Sequence, residues 1–134
     1  MADLEEWLIE AKTARREGRL KDAAELYERV ARGQDDLLQA GHAQRHAAEI
    51  WIKNGQVSEG RAAIAWVMQI YRAQGVTGLE LANALRVQGL AAEAAGELAE
   101  ARAAWDEAGQ LYEQVGVVEG AAEAKRRVAK MTAA

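Results

Sequence analysis

The chain contains no cysteine, no proline and no phenylalanine among its 134 residues. Without cysteine it cannot form a disulfide scaffold, a thiolate zinc site or a cysteine nucleophile, because each of these needs sulfur. Without proline it cannot be a collagen-like or proline-rich linker protein. At this length the chain amounts to one domain, large enough to bury about two-thirds of its unfolded surface.

Long hydrophobic runs are also missing. Apolar residues never continue for the roughly 18 positions that a membrane span requires, and the start of the sequence lacks the basic and apolar stretch of a signal peptide. We therefore expect a soluble, cytoplasmic protein with no membrane partner. The formal charge of −4 and the pI near 5.3 argue against a nucleic-acid partner, because such proteins usually carry a basic surface.

Strong helix formers make up most of the chain, and alanine alone takes 31 positions. This composition predicts an all-α fold in which single glycines end the helices, because glycine readily adopts the left-handed conformation. Asp35 is the expected N-cap of the third helix, and Thr77 and Glu80 form a capping-box pattern before the fifth. The apolar spacing predicts seven helices, at about residues 3–17, 20–32, 36–54, 57–74, 78–95, 98–115 and 118–131.

Three of the glycines mark an internal repeat. Gly18, Gly55 and Gly96 are separated by steps of 37 and 41 residues. Similar residues stand at equal distances from each glycine: Ala11, Ala48 and Gly89 before it, Ala23, Gly60 and Ala101 after it, and Tyr27, Ile64 and Trp105 further on. The small residues at two fixed positions predict a close approach of the two helices in each hairpin. The period lies in the range of helical solenoids.

The four tryptophans divide into two groups. At helical spacing, Trp7, Trp51 and Trp105 are expected to pack in the core. Trp66 is the exception, because its neighbours already fill the inward arc of the fourth helix. We therefore expect Trp66 to be exposed and to mark a contact surface.

The segment from Gly18 to Tyr27, GRLKDAAELY, resembles the tetratricopeptide repeat (TPR), and so does GELAEA from Gly96 followed by Trp105. The resemblance implies a right-handed α-solenoid of three helix-turn-helix hairpins followed by a capping helix. The hairpins would span about residues 3–33, 36–75 and 78–115, with the capping helix at about 118–131, in a single domain of residues 1–134. The chain departs from the family pattern at Gly60, where alanine is usual, and at Ile64, where an aromatic residue is usual.

In solenoids of this kind the first helix of each hairpin lines a concave groove, so the resemblance also implies a set of partner-binding residues. They are Lys12, Arg16, His42, Arg45, His46, Glu49, Lys53, Asn83, Arg86 and Leu90. Together with the neighbouring Arg15, Glu5 and Glu93, they give the groove a local excess of positive charge. Such an excess favours an acidic peptide or partner helix as the ligand. The alternative is that these residues form ordinary solvated helix faces.

The family's carboxylate clamp, which holds the C-terminal tails of chaperones, is matched only at Lys12 and Asn83. His46 and Val87 stand where the clamp has asparagine and a basic side chain. Chaperone tails are therefore not the expected ligand.

The pattern His42-x-x-x-His46-x-x-Glu49 places three possible metal ligands on one helical face. The motif contains no general base, and the sequence has no further histidine to complete a site. A groove-lining role is therefore the favoured interpretation, and the alternatives are an incidental polar helix face and a zinc site. In the groove, protonation of His42 and His46 near pH 6.5 would add positive charge and strengthen the binding of anions at lower pH.

No catalytic triad order, phosphate-binding glycine loop or dinucleotide fingerprint is present in the sequence. We therefore expect a non-enzymatic adaptor or scaffold that needs no cofactor, works as a monomer or weak homodimer, and binds a protein or peptide. The alternative function is a self-associating structural protein. In that case two copies would pair through the outer faces of the second helices or through the end formed by Leu4, Trp7 and Leu8.

Overall fold

The computed structural model describes residues 3–133, with side chains up to residue 132. This part of the chain is all-α and contains no strand. Its seven helices are α1 (Leu4–Arg16), α2 (Leu20–Gly33), α3 (Leu37–Lys53), α4 (Val57–Ala73), α5 (Gly78–Ala94), α6 (Leu98–Val115) and α7 (Val118–Ala133). The predicted helices agree with these bounds to within a few residues. None of the seven is long and apolar enough to cross a bilayer.

The N-termini of the helices differ in how they are capped. Asp3 Oδ1 accepts a hydrogen bond from Glu6 N at 3.1 Å, and Asp36 Oδ1 accepts one from Leu38 N at 2.8 Å. Asp36 rather than Asp35 is therefore the N-cap of α3, and the assignment made from sequence was wrong by one residue. Thr77 precedes α5 as predicted, but its side chain makes no capping hydrogen bond.

The C-termini are closed mainly by glycine. The glycines that follow α1, α3, α4, α5 and α6 have positive φ, and they are Gly18, Gly55, Gly75, Gly96 and Gly116. After α5, for example, Gly96 N donates to Glu93 O and Glu97 N donates to Ala92 O, which satisfies two carbonyls at the end of the helix. Only glycine adopts this backbone conformation without strain, so the turns lie where the sequence predicts them.

Gly33 serves a different purpose from these turn glycines. It ends α2 without a positive φ. A Cβ atom there would clash with the Leu4 side chain and come within 3.6 Å of the Trp7 ring. Gly33 thus lets the start of α1 lie directly against the end of α2.

Contacts within the chain form two compact units, one reaching to Ile70 and the other starting at Tyr71. In the first unit, α1 packs on α2, and α2 packs on α3. Its main core consists of the buried residues Ala11, Ala14, Ala23, Ala24, Tyr27, Ala47, Ile50 and Trp51. Because most of these side chains are alanine, the helix backbones approach closely and the few large side chains fill the remaining space.

In the second unit, α5 packs on α6, and α6 packs on α7. Trp105 is fully buried at the centre of this unit, together with Ala92, Ala101 and Ala124. Tyr71, at the end of α4, donates a hydrogen bond from Oη to Glu80 Oε2 at 3.1 Å. Glu80 therefore accepts a hydrogen bond from Tyr71, and the Thr77 side chain does not cap α5.

The two small-residue positions of the repeat are buried in all three hairpins. At Gly60, a Cβ would lie 2.5 Å from Ile52 Cγ1 and 3.2 Å from the backbone oxygen of Ala48. At Gly89, a Cβ would lie 2.6 Å from Trp105 Nε1. The predicted close approach of the two helices is therefore confirmed in the second and third hairpins.

The tryptophans also follow the prediction. Trp51 and Trp105 are buried in the two cores. Trp7 is half-buried, and the guanidinium of Arg29 lies 5.3 Å from the centre of its ring. Trp66 is 40% exposed.

Candidate functional site

A small cavity in the first unit brings three of the predicted site residues together. We call it the α1–α3 cleft; its volume is about 240 Å³. It is lined by Leu8 and Lys12 of α1, Tyr27 and Val30 of α2, Gln34 after α2, and Gln39, His42, Ala43 and His46 of α3. The cleft therefore combines an apolar floor with carboxamides, imidazoles and the ammonium group of Lys12.

The two histidines of the cleft are held by stacking contacts. The His46 ring stacks on Tyr27 with centroids 5.2 Å apart and an interplanar angle of 22°. The His42 ring meets His46 edge-on, with centroids 4.9 Å apart. Arg15 Nη1 lies 3.2 Å from His46 Nδ1. Because a guanidinium can only donate, Nδ1 accepts this hydrogen bond and the imidazole is neutral.

The surroundings of His46 lower its pKa to about 4. The largest cause is burial, and electrostatic interactions with Arg45, His42 and Arg15 add to it, whereas Glu49 acts in the opposite direction. The expectation that His46 gains a proton near pH 6.5 and strengthens anion binding is therefore wrong. At neutral and mildly acidic pH this ring offers hydrogen bonds, not charge.

Two of the three possible zinc ligands, His46 and Glu49, contact an arginine side chain. Arg15 Nη2 lies 3.5 Å from Glu49 Oε1, and the same guanidinium occupies Nδ1 of His46. Among residues 3–133, no group of three histidine, cysteine, aspartate or glutamate side chains is placed to hold a metal ion. Two of the three side chains on this face of α3, His46 and Glu49, thus contact Arg15 of α1.

The predicted cations differ in their exposure. Three of them are exposed: Lys12, Arg16 and Lys53. Lys12 and Arg16 lie one turn apart on α1. Arg45 is only 8% exposed, and its Nε atom has no hydrogen-bond partner. Placing Arg45 on an open groove surface was therefore wrong, because its stem is enclosed along the interior face of α3.

In the second unit, the predicted site residues are tied to neighbouring helices. Tyr112 Oη donates to Asn83 Oδ1 at 2.7 Å, and Arg86 Nε donates to Glu123 Oε1 at 2.7 Å. Leu90 is partly buried against the core around Trp105. Asn83 and Arg86 line an open cavity of about 410 Å³. The charge of Arg86 is compensated there by Glu123.

A further network in this unit was not anticipated from the sequence. Glu93 accepts a hydrogen bond from Trp105 Nε1 at 2.6 Å and another from Arg127 Nη1 at 2.8 Å. The Arg127 guanidinium also lies 5.3 Å from the centre of the Trp105 ring. The spacing of Glu123 and Arg127, four residues apart on α7, predicts a pair within that helix, but it gives no signal of their contacts with Arg86 and Glu93 of α5.

The cavities of the two units occupy corresponding places. Leu8 and Arg86 both stand ten residues before their turn glycines, and Gln34 and Tyr112 both stand sixteen after them. Leu8 and Gln34 line the cleft of the first unit, and Arg86 and Tyr112 line the cavity of the second unit. The cleft of the first unit presents Lys12 to solvent, whereas the cavity of the second presents an ion pair. Of the predicted groove cations, Arg86 is therefore paired, whereas Lys12 and Arg16 of α1 and Lys53 of α3 are exposed.

Trp66 lines a separate groove of the first unit, with a volume of about 510 Å³. The groove lies between α2 and α4, and Ala31, Ala62 and Ala63 form its apolar surface. The exposure expected of Trp66 is confirmed. Its role in contacting a partner stays a prediction.

A comparison with protein-family models, with curated protein sequences and with solved structures finds no match to this chain.

Proposed function

We propose that this chain is a non-enzymatic interaction module of the TPR type, which binds an acidic peptide or an acidic partner helix. Two observations support the TPR assignment. The turn glycines have the positive φ that the repeat alignment requires, and the small residues beside them lie at the hairpin contacts. In this proposal the hairpins form a right-handed α-solenoid, with α7 as its capping helix.

The observation that carries the binding proposal is the composition of the α1–α3 cleft. Lys12 lines the cleft and is exposed, and Arg16 follows it by one turn on the same helix. Leu8 and Val30 supply apolar floor beside this charge. A peptide carboxylate would bind Lys12 and Arg16, while a neighbouring apolar side chain would occupy the floor.

The polar residues of the cleft suit recognition of a peptide backbone. The carboxamides of Gln34 and Gln39 each offer a donor and an acceptor. His46 stays neutral above about pH 4 and is fixed by its stack on Tyr27. Because the His46 ring is already positioned, little conformational entropy of this side chain is lost when a ligand binds.

Selection from a displayed library of random peptides tests this function. Wild-type protein should enrich acidic sequences that contain a large apolar residue. The double variant Lys12→Glu/Arg16→Glu should bind the enriched peptides at least about tenfold more weakly, because two attractive charges become repulsive. Binding is measured by fluorescence anisotropy of the labelled peptide, and helicity by circular dichroism.

The matched control is Lys21→Glu/Arg102→Glu, which makes the same change of net charge at exposed positions on α2 and α6. It should leave peptide affinity nearly unchanged. Equal losses in the two double variants, or enrichment of peptides that are not acidic, would show that the cleft is not the binding site. Substitution of Arg45 or Arg86 is a poorer test, since one is buried and the other is paired with Glu123.

A self-associating structural protein is the second candidate function. The surface expected at Leu4, Trp7 and Leu8 does not support it, because these side chains are partly buried against α2 and its neighbours. Ile9, at 58% exposed, is the large apolar side chain that α1 instead presents to solvent.

A further inference from the structure

The second unit contains an open groove of about 530 Å³ between α6 and α7. We call it the α6–α7 groove. Its lining includes Trp105, Gly109, Ala121, Ala124 and Val128, which make a floor of small and apolar groups. Asp106 and Glu113 of α6 line one side, and Lys125 of α7 lines the other. The groove is thus apolar at its base and charged along both edges.

The repeat shows what kind of element lies beside this surface elsewhere in the chain. Counted from the turn glycines, Asp106 and Gly109 of α6 correspond to Glu28 and Ala31 of α2. Those α2 residues share a groove with the helix α4. In the first unit a further helix therefore lies beside this surface. In the described part of the chain, no helix follows α7 in the corresponding position.

The exposed surface of α7 is basic. Lys125, Arg126 and Lys130 are all exposed, and Ala122 and Ala129 lie exposed among them. Small side chains allow another helix to approach closely, and the three cations require acidic residues on that helix.

The N-terminal half of α1 has the opposite charge, whereas its C-terminal half carries the exposed cations Lys12 and Arg16. Glu5, Glu6 and Glu10 are all exposed and lie around the exposed Ile9. Glu6 and Glu10 are four residues apart, so they lie on the same side of the helix, about one turn from each other. The chain therefore carries an acidic N-terminal half of α1 with one exposed large apolar side chain, and a groove with an apolar floor whose α7 edge is basic and whose α6 edge is acidic.

From this complementarity we propose that a second copy of the chain docks head to tail, with its α1 in the α6–α7 groove. Ile9 enters beside Val128 and Ala129, and Glu6 and Glu10 pair with Lys125 and Lys130. The contact is heterologous, because each copy contributes a different surface. The proposal names the two surfaces through which the chain would self-associate, which is the second candidate function. It does not rest on peptide binding in the α1–α3 cleft.

Charge reversal on each surface separately tests the proposal. Sedimentation velocity of the full chain over a wide range of concentrations should show association of the wild type that weakens with added salt. The head variant Glu6→Lys/Glu10→Lys and the tail variant Lys125→Glu/Lys130→Glu should each associate about a hundredfold more weakly, because like charges then face each other. All four positions are exposed, so both variants should keep wild-type helicity.

The decisive measurement is an equimolar mixture of the head and tail variants. In the mixture each reversed surface meets an oppositely charged partner, so association should return to about the wild-type level. Lys21→Glu/Arg102→Glu, which alters exposed residues on α2 and α6, should associate like the wild type.

Several results would overturn the inference. A wild type that stays monomeric at every concentration excludes a second copy as the occupant. Association that resists both reversals places self-association on other surfaces. A loss in the tail variant alone, with no recovery in the mixture, indicates a symmetric α7–α7 contact instead.

Discussion

His46 illustrates how a single side chain can take its properties from residues far away in sequence. Its ring stacks on Tyr27 of α2, accepts a hydrogen bond from Arg15 of α1, and meets His42 one turn earlier on α3. Burial and the nearby positive charges lower its pKa to about 4. The free imidazole would titrate near 6.5, so folding holds this group in its neutral form.

This shift of the His46 pKa predicts a loss of stability in mild acid. Between about pH 6.5 and pH 4 the unfolded chain binds a proton at His46 that the folded chain does not bind, so the free energy of unfolding falls as the pH falls. Above about pH 6.5 no stability is lost through His46, and below about pH 4 the loss does not grow further. Because the ring is only partly buried, we expect a loss on the order of 1–2 kcal/mol.

Urea unfolding of the wild type and of His46→Gln at several pH values in this range measures the effect. The variant should lose less stability than the wild type on acidification. Parallel stability curves for the two proteins would mean that His46 is not the responsible group.

Gly89 offers a second test at the scale of one residue. An alanine Cβ there would lie 2.6 Å from Trp105 Nε1 and 2.8 Å from Cε2, so the buried ring must move. Gly89→Ala should destabilise the protein by about 1–3 kcal/mol, despite the better helix propensity of alanine. Thermal unfolding followed by circular dichroism gives the change.

The control for Gly89 is the same substitution in a Trp105→Phe background. Phenylalanine lacks the pyrrole ring that the new methyl group meets, so the cost of Gly89→Ala should fall below about 1 kcal/mol. An equal cost in both backgrounds would place the strain elsewhere.

At the scale of the helices, capping distinguishes two adjacent aspartates. Asp36 Oδ1 accepts a hydrogen bond from Leu38 N, and Asp35 makes no such bond at the start of α3. Asp36→Ala should therefore cost about 1 kcal/mol, and Asp35→Ala should cost only a few tenths. Chemical unfolding of the two variants checks this, and a larger effect at Asp35 would contradict the assignment.

The helix ends could be predicted from sequence because they depend on neighbouring residues. A glycine with positive φ and the hydrogen bonds around it involve only the last turn of one helix. The exception at Gly33 has a tertiary cause, since its lack of a side chain accommodates Leu4 and Trp7 of α1. Local sequence gives no sign of that contact.

At the scale of the molecule, α7 is held against the other helices of the second unit by polar contacts as well as by apolar packing. Arg127 connects α7 to Glu93 of α5 and to the ring of Trp105 in α6. Arg127→Met should weaken this attachment by about 1 kcal/mol, because an ion pair and a cation–π contact are lost together. Arg126, exposed on the same helix, provides the matched control.

Hydrogen exchange measured by mass spectrometry shows where the change occurs. In Arg127→Met, amides of α7 should exchange faster, while peptides from α1 to α3 in the first unit should keep their protection. Arg126→Met should leave both unchanged. Equal loosening in the two variants would remove the special role of Arg127.

The sequence by itself determined the all-α fold, the position of nearly every helix and the small residues at the hairpin contacts. These features depend on helix propensity, on glycine at the turns and on apolar spacing along one helix. It also identified Trp66 as the exposed tryptophan.

Only the tertiary structure decided which charged side chains remain open to a ligand. Arg86 pairs with Glu123, and Arg127 pairs with Glu93, across separations of 37 and 34 residues. Arg45, which the sequence analysis placed in the groove with Arg86, is buried. These outcomes depend on the rotation and offset of one helix against another, and a shift of a few ångströms would change every pairing. Helical periodicity determines which residues share a face of a helix, but it does not determine which residues of other helices that face contacts.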